Sequence, residues 1–88
     1  MTTLPGEELI VPGLSDLAAG RVTVESLLVS IAAPALRTLG YPVLSPIANA
    51  ELALYALLSG HDQRSAHSRY NALLRRLVSF QRAARCAR

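Results

Sequence analysis

Eighty-eight residues allow one domain, and a chain that is 51% apolar has enough Leu, Ala, Val and Ile for a core, which excludes disorder. A single cysteine, Cys86, excludes an internal disulfide and suits a reducing, cytoplasmic setting. The formal charge of +3 is unevenly placed: residues 1–44 set four acids against two arginines, and residues 45–88 set two acids against seven arginines.

The start, Met1 to Glu8, has two acids and no basic residue, unlike a signal peptide. Residues 1–11 read as an irregular arm ahead of one helical domain over 12–88. In that arm Leu9, Ile10 and Val11 are apolar enough to dock. Pro12-Gly13 then opens a short helix through Leu14 and Leu17, closed by Gly20. Thr23 is a good cap for the next helix, with Glu25 in its first turn. Its apolar positions, Val24, Leu27, Leu28 and Ile31, then Ala35, Leu36 and Leu39, have helical spacing. Pro34 would cost about 3 kcal/mol inside a straight helix. The spacing therefore predicts a break near Ala32–Ala33 and a second short helix ending at Gly40, a single kinked helix being the alternative.

Ser45-Pro46 reads as the start of a fourth helix running to Gly60. Apolar residues surround that helix, which suits a central, buried element. The last helix starts at His61-Asp62 or Ser65 and continues to about Arg85. Period-two alternation is absent after residue 11. The apolar stretches around 24–39 and 47–58 contain Glu25, Pro34 and Glu51, and fall short of the ~20 residues of a spanning helix, so no membrane role is expected. The fold class is all-α: a compact bundle of four to five helices with a long amphipathic C-terminal helix.

Catalytic chemistry finds little support. His61 and His67 are the only histidines, and their spacing puts them on opposite sides of a helix, whereas metal ligands on one helix sit three or four apart. Ser59, Ser65, Ser68 and Ser79 lie near these histidines, but none sits on a strained Gly-x-Ser-x-Gly elbow. The glycines punctuate helices and form no phosphate loop. The chain is read as a non-enzyme that needs no metal and no cofactor.

The C-terminal helix carries the best functional signal. Ala66, Tyr70, Leu73, Leu77, Phe80 and Ala84 recur at alternating steps of four and three, the a/d rhythm of a narrow packing seam. Arg69 and Arg76 flank it like e/g residues, able to pair with acids on a partner; the acidic arm with Glu7 and Glu8 is a candidate counterpart. A helix this long outreaches the short helices before it, which would leave Leu77, Phe80 and Ala84 open to a second chain. The expected function is a non-catalytic, bacterial protein-interaction module. It would form a homodimer or dock a helical protein partner through Tyr70, Leu73, Leu77, Phe80, Ala84, Arg69 and Arg76. The absence of Lys beside nine Arg matches the coding bias of a GC-rich bacterial genome.

The alternative is a nucleic-acid-binding or regulatory protein using Arg64, Arg75, Arg76 and Arg82 as an electrostatic surface. Arg64, Arg75 and Arg82 fall within about 20° of the direction opposite the seam. Against it, stackable aromatics are absent from that arc. The best helix-turn-helix candidate, Thr23 to Leu39, puts Arg37 alone in an otherwise apolar second helix.

Overall fold

A computed structural model describes residues 4–87. Five helices follow in order: α1 (Glu7–Ala18), α2 (Val24–Ile31), α3 (Ala33–Thr38), α4 (Ala50–His61) and α5 (Ala66–Cys86). Among the described residues there is no strand, as the lack of alternation predicts. Helices α1 and α2 form the closest pair; α2 also packs on α4, and α4 on α5.

Four of the expected boundaries are observed. Thr23 caps α2 reciprocally: the Ser26 N–H donates to Thr23 Oγ1 (3.1 Å), and the Thr23 N–H donates to Ser26 Oγ (2.8 Å). Two otherwise orphaned amides are thereby satisfied. The break near Pro34 is real, with α2 ending at Ile31 and Pro34 in the first turn of α3, where its missing N–H costs nothing. Gly20 and Gly40 follow α1 and α3 with φ of 77° and 97°. At the second of these, Tyr41 N–H donates to Leu36 C=O (2.9 Å) and Gly40 N–H to Arg37 C=O (3.0 Å). That is the Schellman closure, which needs a left-handed residue at this point.

Two boundaries differ. Residues 7–11, expected in an irregular arm, are helical, so α1 starts before Pro12 and contains it. Proline removes the bond that the Glu8 carbonyl would accept. Pro12 and Glu8 are both exposed, so water can reach that carbonyl. The apolar triplet Leu9-Ile10-Val11 overrides the break, because Leu9 and Ile10 are buried only if this turn is helical and faces the core. The rest of the expected arm, residues 1–3, lies outside the described residues. Ser45-Pro46 does not start α4; residues 45–49 remain irregular, and the helix begins after Asn49, which has φ of 55°. Here Ser30 intervenes. It lies buried on α2, its Oγ accepts from the Ile47 N–H (3.0 Å), and it donates to the Ser26 C=O (2.9 Å). That bond holds the segment before α4 against α2, and the helix starts only beyond it, after Asn49.

The core is aliphatic. Leu27, Leu28, Leu36, Leu54, Leu58 and Phe80 are fully buried, joined by Ile10, Val29, Val43 and a set of small alanines. Every buried side-chain polar atom among the described residues has a hydrogen-bond partner, as a small domain with little stability to spare requires.

Candidate interaction surface

Helix α5 spans 21 residues, about 32 Å at 1.5 Å per residue. Its apolar seam is present, but its distal half is not open. Phe80 is 0% exposed, Leu77 5% and Ala84 6%. Tyr70 and Leu73 are half-buried against the same core. This corrects the expectation that Leu77, Phe80 and Ala84 wait for a second chain. Irregular segments supply part of the cover, beside the helices of the same core cluster. The Tyr41 ring lies against Phe80 with centroids 5.7 Å apart. The turn before α1 also presses on α5, so closely that a Cβ on Gly6 would meet the Arg76 carbonyl oxygen at 2.9 Å and the Phe80 Cβ at 3.1 Å.

The flanking arginines separate. Arg76 pairs with Glu8 of the same subunit, so the acidic counterpart identified in the sequence is the right one but acts within the chain. Both groups are substantially exposed, and the pair therefore adds orientation more than stability. Arg69 is exposed, with no ion pair among the described residues. Arg64, Arg75 and Arg82 are likewise exposed and unpaired among the described residues. Asn71, Leu74, Val78 and Ser79 line the shallow surface between Arg75 and Arg82. Arg88 lies outside the described residues.

Arg37 is not presented for readout. Its Nε donates to the Val43 C=O (2.8 Å) and pins the 39–44 segment that carries Tyr41. A single residue, Ala32, separates α2 from α3, which leaves no room for the three- or four-residue turn of a helix-turn-helix.

The catalytic candidates do not assemble. His61 and His67 are both exposed, and His67 Nε2 is hydrogen-bonded to Asn71 (3.1 Å). Asp62 instead shapes the entry to α5, its carboxylate accepting from the Arg64 N–H (3.1 Å) and the Ser65 hydroxyl (3.0 Å). No group of three or more His, Cys, Asp or Glu able to hold a metal occurs among the described residues. Asp16 is held below its ordinary aspartate pKa by hydrogen bonds from Thr23 and Arg21. These link the end of α1 to the cap of α2, a structural task.

The surface that sequence reasoning missed is on α4. Only Ala50, Leu54 and Leu58 of that helix are buried. On its outer side Leu52 is 74% and Tyr55 39% exposed, with Ala56 exposed beside them. The Tyr55 ring rests edge-on against Tyr70 of α5, centroids 5.6 Å apart, so the patch adjoins α5, whose Val78 is 43% exposed. The signal was in the sequence: a helix apolar on every side has more apolar surface than one core contact can cover. No family model, no curated protein and no solved structure matches this chain. Among the described residues no helix is long and apolar enough to cross a membrane.

Proposed function

We propose that the chain is a non-catalytic protein-interaction module whose docking surface is the outer side of the α4–α5 hairpin rather than the a/d seam of α5. The observation that carries this reading is the uncharged, outward face of α4. Leu52, Tyr55, Ala56 and Ser59 fall at i, i+3, i+4 and i+7, the spacing by which one helix lays an apolar face on another. Leu52 and Tyr55 are exposed there, and a large side chain in a small uncharged patch is the usual anchor of an interface.

The test is a photo-crosslinking phenylalanine analogue placed at position 52, and at position 22 as a control, in cells of the native host. Val22 is also exposed, at 63%, but lies on the α1–α2 connection, away from the hairpin. Crosslinked protein products from position 52 and none from position 22 are expected. The reverse pattern, or none from either, overturns the reading.

A second reading rests on Arg64, Arg75 and Arg82, exposed cations without acid partners among the described residues. They form a surface for a polyanion such as nucleic acid, of the kind that binds phosphates without reading bases. Arg76, engaged with Glu8, contributes less to it.

A further inference from the structure

We propose that the occupant of the α4 face is a second copy of this chain, docked antiparallel through α4 about a two-fold axis near Ala56. This rests on the docking reading above and adds the identity of the partner. Three features of α4 make the face self-complementary.

The first is charge. Each copy is positively charged overall, with its cations concentrated on α5. In a two-fold pairing like faces like, so a face without arginines avoids repulsion between the copies. Between Leu52 and Gly60, α4 has no Asp, Glu, Lys or Arg.

The second is size. The face has its large residues, Leu52 and Tyr55, toward the N-terminal end and its small ones, Ala56, Ser59 and Gly60, toward the C-terminal end. An antiparallel pairing centred on Ala56 sets Leu52 opposite the partner's Gly60, and Tyr55 beside the partner's Ala56. Each bulky side chain then meets a gap. Gly60 has open space around it, with nothing within 4 Å of the point where a methyl group would sit. A parallel pairing would put Leu52 against Leu52 and leave the small residues facing a void.

The third is the ends of the helix. The same register brings Glu51, the acid in the first turn of α4, level with the partner's His61 at the last turn and with the turn that carries Arg64. Acid thus meets base at both ends, and the two helix dipoles oppose each other favourably. A single helix pair of this length is small for a permanent interface, so a micromolar dimer is expected. A two-fold contact of this kind closes on itself and leaves no face for polymerisation.

The experiment is sedimentation equilibrium of the full chain from low to high micromolar concentration, beside Leu52→Asp and Val22→Asp. Wild type and Val22→Asp should dimerise alike. Leu52→Asp should weaken dimerisation roughly thirtyfold or more, the scale of a central anchor residue, with its circular dichroism unchanged. Ala56→Cys, made in a Cys86→Ser background, sits near the axis and should oxidise to a disulfide-linked dimer; Val22→Cys in that background should not. A wild-type protein that stays monomeric at high micromolar concentration, or a Leu52→Asp protein that dimerises as tightly as wild type, overturns the proposal. Crosslinks from position 52 to a different protein, with the chain itself monomeric, would overturn it while leaving the docking reading intact.

Discussion

Replacing Phe80 with alanine separates an internal seam from an external one. The Phe80 side chain is fully buried, its ring against Tyr41 and its Cβ close to Gly6. Truncating such a side chain costs about 3–5 kcal/mol, since the transfer term and the cavity left behind add. A chain of this length has a total stability of roughly 5–13 kcal/mol, from ~0.05–0.15 kcal/mol per residue. The loss is therefore about a quarter or more of the whole. At about 4–8 °C per kcal/mol for a domain of this size, the melting temperature should fall by roughly 12–40 °C. Thermal and urea melts followed by far-ultraviolet circular dichroism would read it. Two residues away and turned outward, Val78→Ala should change stability by no more than about 0.5 kcal/mol. The double substitution Phe80→Ala with Tyr41→Leu should recover part of the sum, because the ring pair is worth about 0.5–1.5 kcal/mol beyond its area. A Phe80→Ala protein within about 1 kcal/mol of wild type would refute the claim that Phe80 is core of the single subunit. If the seam were an interface, Phe80→Asp would leave a folded, unpaired subunit; if it is core, Phe80→Asp should fail to fold.

Gly13→Ala should destabilise by about 1–3 kcal/mol in the same melts. Its new methyl group would sit 2.5 Å from the Glu25 carbonyl oxygen and 2.6 Å from Val29 Cγ2, so α1 and α2 would have to separate. Ser30→Ala removes the acceptor for the Ile47 amide and should lower the urea midpoint by the equivalent of about 1–2 kcal/mol at unchanged slope. Asp16 has a lowered pKa in the folded protein, so its contribution is present above the unfolded pKa near 4 and is lost as the pH falls through the folded value. Wild type should accordingly be more stable than Asp16→Asn at neutral pH, and the difference should shrink in acid; a difference that grows toward low pH would refute the assignment. If the polyanion reading holds, neutralising Arg64, Arg75 and Arg82 together to Gln should abolish a salt-steep gel shift with nucleic acid, whereas Arg76→Gln alone should change it less.

What could be read from the sequence was local. Thr23, Pro34 and the glycines after α1 and α3 act through bonds to residues within one turn, so their types and spacing are sufficient signals. The a/d rhythm of α5 likewise marks which side of the helix is buried. It cannot say what buries it, because Tyr41 and Gly6 reach Phe80 from distant points of the chain and carry no periodic signature of their own. Gly6 is read locally as punctuation, yet it lies flush against the α5 backbone. The same limit applies at Ser45-Pro46: the segment is bound at Ile47 to Ser30, seventeen residues earlier, a partner that no local pattern announces.

These misplacements have one physical origin, and it redirects the functional argument. A small domain with one fully buried aromatic ring cannot leave that ring half-covered, so loops are recruited to seal it. Once Phe80 is sealed, α5 has apolar surface inside and arginines outside, as an ordinary amphipathic helix does. Helix α4 has no such asymmetry. Its inner side is satisfied by Ala50, Leu54 and Leu58, and among the described residues nothing covers Leu52. A helix that needed only to support a core could place Glu, Gln or Lys there with better helix propensity and solubility. The outer face of α4 instead has Leu52 and Tyr55 beside Ala56 and Gly60, a pattern that stability of the lone subunit does not require and that close packing against another helix would.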